Sequence, residues 1–191
     1  MNNIKIEYVN VAWVNDALKD DIPHSFKAFV ETILEPIASD SVSHVQRDIE
    51  SDEYGALSFD FNGKRCLFRQ AKTTPTKVGQ FVTIWKRDTL TSEIAPFHIN
   101  DGIDIVVIAS FDHEQKGYFI FNNELLGNKG VFTKNGKQGK RAIRVYAPWV
   151  KTMVKQAINT QQWQRLHFVQ LSNNSETLVN KAKLLLNKGT I

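Results

Sequence analysis

The chain reads as an α+β fold, with a central mixed, mainly antiparallel β-sheet flanked by helices. Three observations predict it. Between Tyr54 and Lys72, apolar and polar residues alternate with a period of two around an Asn62-Gly63 pair, the signature of a tight hairpin. The stretch 103–111 is nearly all apolar and has the length of a buried central strand. Phe26, Phe29, Val30, Ile33 and Leu34 early in the chain, and Leu178, Val179, Ala182, Leu185 and Leu186 late in it, recur at three- and four-residue spacing, the stripe of a helix laid over a sheet.

Taken in order, residues 4–14 read as an edge strand or ordered arm, with 1–20 the N-terminal arm of a single domain spanning 1–191. A helix follows Asp21 and Pro23 and ends near Pro36. Val42, Val45 and Ile49 stand at helical spacing behind an Asp or Ser cap, which predicts a short second helix over 40–49. The hairpin strands are 57–61 and 65–72. Residues 81–87 read as a third strand, 103–111 as the central one, and 118–121 as its neighbour after a turn at Gly117. One helical turn is expected at 123–126, and a mobile basic loop at 134–140, where Asn135-Gly136 and Gly139 lie among lysines. A strand at 142–146 closes at Pro148, and helices are predicted over 150–158 and, behind a Ser175 cap, over 175–186.

The 191 residues, 42% apolar and 23% charged, have the length and composition of one water-soluble domain. A domain of this size buries roughly 70% of its unfolded surface and needs neither disulfides nor structural metal to build a core. Cys66 stands alone and Met1 is not followed by a basic-then-apolar leader, so a reducing, cytoplasmic setting is expected. No apolar run approaches the roughly eighteen residues of a membrane-spanning helix, and no membrane partner is expected.

Charge is unevenly placed. Residues 1–60 carry 4 Lys/Arg against 12 Asp/Glu, net −8, whereas 61–191 carry 20 against 8, net +12. Residues 61–87 hold seven basic side chains and no acid, and 125–175 hold nine and no acid. If these stretches share a face, its potential suits a polyanion; the alternative is a solvated basic surface without a partner.

Familiar catalytic motifs are missing: there is no Gly-x-Ser-x-Gly, no His-Glu-x-x-His and no phosphate-binding Gly-x-x-x-x-Gly-Lys-Ser/Thr. His24, His44, His98, His113 and His167 are scattered without a second ligand at metal spacing, so no metal site is predicted from them. The hairpin is the stronger candidate. Alternation places Cys66, Phe68, Gln70 and Lys72 on one face and Arg65, Leu67, Arg69 and Ala71 on the other. Glu53 opens the first hairpin strand, followed by Tyr54-Gly55. An acid at that point, with a second acid two residues before a lysine on the partner strand, is how many nucleases hold Mg²⁺ and activate water against phosphate. Here Gln70 occupies the place of the second acid, and a neutral carbonyl binds a divalent cation much less well than a carboxylate. Glu53, Gln70 and Lys72 therefore read as a catalytic remnant, with a purely structural hairpin and a working metal site as the alternatives.

The run Phe68-Arg69-Gln70-Ala71-Lys72-Thr73-Thr74-Pro75-Thr76-Lys77-Val78-Gly79-Gln80-Phe81, together with Glu53-Tyr54-Gly55-Ala56, Trp85-Lys86-Arg87 and Arg141-Ala142-Ile143-Arg144-Val145-Tyr146-Ala147-Pro148-Trp149, resembles the MepB family of small bacterial proteins over roughly residues 25–170. The resemblance implies a restriction-endonuclease-like, PD-(D/E)XK fold, association with nucleic acid, and an eroded catalytic constellation. It puts the family's Glu-Tyr-Gly on Glu53-Tyr54-Gly55, its Ala-Lys on Ala71-Lys72, and the lost second acid on Gln70.

The expected partner is therefore DNA or RNA, single strands among them, held through phosphates. Arg69, Lys72, Thr73, Thr74, Thr76, Lys77, Lys86, Arg87, Lys140, Arg141 and Arg144 are the predicted contacts. Phe81, Trp85, Tyr146 and Trp149 lie among these cations, an arrangement that suits stacking of unpaired bases as well as ordinary core packing. No recognition helix is apparent, so base-specific major-groove reading is disfavoured. Two other functions stay open: a Mg²⁺- or Mn²⁺-dependent nuclease using Glu53, Gln70 and Lys72 with help from Asp60 or another acid, and a protein-interaction module whose acidic first sixty residues meet a basic partner or the chain's own basic half. No cofactor is expected unless the nuclease reading holds.

Overall fold

The computed structural model describes residues 22–172 and 175–187; the expected N-terminal arm lies outside them. A helical segment opens the described chain, running as α1 (His24–Phe29), a π turn over Val30–Leu34 and α2 (Glu35–Ile37). The helix ends at Ile37, near Pro36 as expected, with the proline inside its last turn. Proline cannot donate to the carbonyl four residues back, at Thr32, and the widened π turn around that residue accommodates the lost bond.

Eleven strands follow among the described residues. Six form the main sheet, in the order β1 (Val42–Arg47), β2 (Leu57–Phe61), β3 (Lys64–Gln70), β8 (Ile105–Asp112), β9 (Gln115–Asn122) and β11 (Phe168–Gln170). All neighbours are antiparallel except β3 and β8, so the sheet is mixed and mainly antiparallel. Between those two parallel strands the chain builds β4 (Lys72–Thr74), β5 (Lys77–Thr83), β6 (Lys86–Arg87) and β7 (Ile94–Ala95). β4 and β5 join β10 (Ala142–Val145) in a second sheet of order β10-β5-β4. No helix among the described residues is long and apolar enough to cross a membrane.

The main sheet is covered on both faces. On one, Phe26 meets Phe59 and Phe68 edge-on at centroid distances of 5.0 and 5.1 Å, and α5 (Ser175–Asn187) adds Leu178, Ala182, Leu185 and Leu186. On the other, Val82 and Val145 of the second sheet and Ile84 just past β5 pack against Leu67, Val106 and Ile108, together with Leu126 of α3 (Asn123–Asn128). Buried between two layers, β8 is apolar on both sides, which explains its unbroken hydrophobic run. Gln80 fastens the second sheet to the first: its amide nitrogen donates to the Phe111 carbonyl at 2.9 Å and to Thr73 Oγ1 at 3.2 Å, and its oxygen accepts from Ser110 Oγ at 2.6 Å.

Several elements differ from expectation. The predicted second helix over 40–49 is strand β1. A bulge between Ser43 and Gln46, with His44 at φ +50°, lets Val42 and Val45 both face the core although they are three residues apart. The expected strand 81–87 is split, β5 ending at Thr83 and β6 starting at Lys86. Gly117 lies within β9, while the turn is made at His113, φ +51°. A side chain at 117 would collide with the Phe168 ring as β11 docks. The helix predicted over 150–158 is α4 (Lys155–Arg165), which begins after Met153 and Val154 and buries Gln164 in place of an apolar stripe.

Candidate nucleic-acid interface

The Asn62-Gly63 hairpin forms, with Phe61 opposite Lys64 and both turn residues at positive φ, but its second strand stops at Gln70, and Lys72 opens β4 in the second sheet instead of continuing the strand as expected. At the far end of these strands, a 3₁₀ turn (Ile49–Tyr54) delivers Glu53 and Tyr54, and Gly55, φ +56°, reverses the chain into β2. A Cβ at 55 would stand 3.1 Å from Pro23 Cγ in a strained conformation, so only glycine serves well there. Lys72 reaches back over this turn. Its Nζ lies 3.1 Å from Glu53 Oε2 and 4.8 Å from the centre of the Tyr54 ring. Gln70 is held from the other side by Ser25, whose hydroxyl donates to Gln70 Oε1 at 2.7 Å. Glu53, Gln70 and Lys72 thus gather around one turn, but the amide oxygen is taken by Ser25 and the carboxylate by Lys72. Among the described residues, no three His, Cys, Asp or Glu side chains gather where they could hold a metal. Asp60 is at the opposite end of β2, pairing with Arg65 at 3.2 Å and His44 at 2.9 Å, and cannot assist.

From this turn a row of cations and rings runs across the second sheet. Lys72 pairs with Phe81 across β4–β5, and Phe81 with Arg144 across β5–β10, so the three side chains share one face. The Tyr54 and Phe81 rings are 6.2 Å apart, and the Arg144 guanidinium lies 5.9 Å from the centre of Phe81. Beyond Arg144 opens a cleft of about 440 Å³ that takes in Lys77, Lys129 and Lys140 and is lined by no carboxylate. Its walls belong to β5, β10 and α4, joined by register pairs from Ala142–Thr83 to Val145–Gln80. The two basic stretches, remote in sequence, therefore meet.

A family model described as MepB-like matches residues 48–170. The chain belongs to the MepB-like family. The crystal structure of MepB superposes on it with a TM-score of 0.67 at 36% sequence identity, covering 74% of this chain and 95% of that one. No curated protein matches it.

In this MepB-like chain the predicted contacts divide by what already holds them. Arg69 is 2% exposed and does not reach the surface, which removes it from the expected phosphate contacts. It donates to the carbonyls of Phe68 and Leu57 and pairs with Asp48 at 3.1 Å, and burial pulls its guanidinium down to about 10. Lys86 pairs with Asp101 at 2.5 Å, and Arg87 clasps Glu50 with contacts of 2.7–2.9 Å that hold the Glu50 carboxyl below its usual range. Arg144 lines the cleft while also bracing the β4–β5 turn, donating to the Gly79 carbonyl at 3.0 Å and to Thr74 Oγ1 at 2.8 Å. Thr73 accepts from Gln80, Thr76 and Lys77 are exposed at the tip, and Lys140 and Arg141 are exposed beside the cleft. Asp48, Glu50, Glu53 and Asp60 are thus paired with the chain's own cations, the internal one of the two uses open to the acidic segment.

The loop at 134–140 is pinned by reciprocal backbone bonds between Lys134 and Lys137 and by Thr133 Oγ1, which accepts from the Gly139 N–H at 3.0 Å. Three site residues were not foreseen. Ser25 gave no signal, because nothing local links it to Gln70. Lys129 was visible only as one charge among nine, and Trp163 as one aromatic in a polar run. Gln164 fixes the helix that carries Trp163: its oxygen accepts from the Tyr146 N–H at 2.8 Å and its amide donates to the Arg144 carbonyl at 3.0 Å, tying α4 to β10.

Proposed function

We propose that this protein binds DNA or RNA through the phosphates along the Lys72–Tyr54–Phe81–Arg144 row and the cleft beyond it, without metal and without cleaving the strand. One observation carries the reading: cations from two distant segments converge, alternating with rings, on a recess that no acid lines. Rings with adjacent cations accept bases and phosphates of any sequence.

The same reading takes the fold as a degenerate restriction-endonuclease-like one. A helix, three antiparallel strands and a fourth strand parallel to the third support it, with Gln70 ending β3, Lys72 opening β4 just beyond it and Glu53 at the entry to β2. The chain departs from the usual pattern in crossing from β3 to β8 through strands instead of a helix. A cytoplasmic setting belongs to the same proposal, supported by a buried free thiol at Cys66.

Fluorescence anisotropy with labelled single-stranded and duplex DNA and RNA tests it. Binding in the presence of EDTA, weakened for every sequence alike by Lys72→Ala with Lys77→Ala, is the expected result. An unchanged titration in that double variant would overturn the proposal. Cleavage that requires Mn²⁺ and disappears in Lys72→Ala would favour the nuclease reading instead.

A further inference from the structure

The cleft between β5, β10 and α4 is shaped for more than a phosphate. Its volume, about 440 Å³, falls in the range of small-molecule sites. Trp163 lines it, half-buried, with one side of the indole packed on Phe121 at a centroid distance of 5.3 Å and the Lys129 ammonium 5.5 Å from its centre. Tyr146 forms another wall and is seated by Gly79, where φ is +78° and a Cβ would come 2.6 Å from the ring. Gln156 and Thr160 add polar groups at the rim. Among the described residues, Lys77, Lys129 and Lys140 enter no ion pair, unlike Lys72, Lys86 and Arg87.

The geometry points to this cleft as the seat of one unpaired nucleotide of a single-stranded nucleic acid. The base lies against Trp163 on the ring face that Lys129 now covers, and the adjoining phosphate takes Lys129 with Lys77, Lys140 and Arg144. This rests on the nucleic-acid reading above and adds which form is preferred. In a blunt duplex the bases are paired inward and only phosphates face the protein, so a ring within a recess is out of reach. An unpaired base can enter, and stacking on a ring is tolerant of sequence. The Tyr54–Phe81 row would then guide the strand from the recess toward Lys72.

Titrating the full-length protein with a short oligothymidylate and with a blunt duplex of equal length, in low salt, tests this. The single strand is expected to bind about tenfold more tightly, with that preference lost in Trp163→Leu and largely restored in Trp163→Phe. Intrinsic tryptophan fluorescence gives an independent reading that a folding defect does not mimic: the single strand should quench it in the wild type, and Trp163→Phe, which keeps the packing on Phe121, should lose most of that quench. Equal affinity for both forms, or a quench unchanged in Trp163→Phe, would overturn the inference while leaving phosphate binding in place. Failure to bind either form would overturn both.

Discussion

The strength of the salt dependence follows from which cations the fold leaves free. Eight basic residues suggest themselves from sequence alone: Arg69, Lys72, Lys77, Lys86, Arg87, Lys140, Arg141 and Arg144. Four of them are engaged by the chain's own acids, through Asp48, Glu53, Asp101 and Glu50. The cleft retains four cations, namely Lys77, Lys129, Lys140 and Arg144, while Lys72 at the end of the row already has Glu53 as its counterion and so releases none on meeting a phosphate. Each phosphate neutralised on a single strand contributes about −0.7 to the slope of log affinity against log salt, so four predict a slope of about −3 and eight one nearer −6. Between about 50 and 200 mM salt, the first loses about fiftyfold in affinity and the second about two-thousandfold. Anisotropy titrations at four or five salt concentrations measure the slope directly. Replacing Lys77 and Lys140 together by alanine should bring it to about −1.4. A wild-type slope near −6 would mean that the ion-paired residues are free cations in solution and refute the part given to their acids. A slope indifferent to the double substitution would remove the cleft from it.

Glu53→Ala frees Lys72 from an exposed pair of the kind worth about 0.2–1 kcal/mol, so nucleic-acid affinity should rise up to about fivefold in the same titration; a fall would mean that the carboxylate itself serves binding. Asp48→Ala strands the buried Arg69 guanidinium and should cost about 2 kcal/mol in urea denaturation, below the usual figure for a broken buried pair because Asp48 is itself partly solvated; a neutral result would refute the role given to this pair. Burial pushes the Cys66 thiol up to about 12 from 9.0, so the unfolded chain ionises first. Stability is therefore unaffected by this group below pH 9 and falls as the pH rises above it, and thiol reagents at pH 8 should modify Cys66 only as fast as the protein unfolds, which urea-dependent labelling rates would show.

The sequence discloses elements whose pattern is local. The Asn62-Gly63 hairpin, the apolar run of β8 and the stripe of α5 need nothing from the rest of the chain, and all three form. β1 is disguised because its bulge turns a strand's period of two into a spacing of three. α4 is disguised because it docks through Gln161 and Gln164, whose amides bond to backbone, and not through an apolar stripe. The second sheet is invisible in sequence, since it pairs β5 with β10 across a long separation. The same division applies to the site. Glu53, Gln70 and Lys72 are found from strand alternation, and the structure gathers them at one turn. Charge counting, however, cannot tell Lys77, exposed at a loop tip, from Arg69, buried against Asp48, because alternation marks Arg69's face without saying whether that face meets solvent or a second layer.

Photo-crosslinking of a thymidine-rich single strand to the intact protein, followed by peptide mapping, tests the central claim most directly. Crosslinks should fall on Phe81, Tyr146 and Trp163, with lysines 77, 129 and 140 protected from acetylation in the complex. Crosslinks concentrated instead on the face covered by α1 and α5, with those lysines still reactive, would contradict the account.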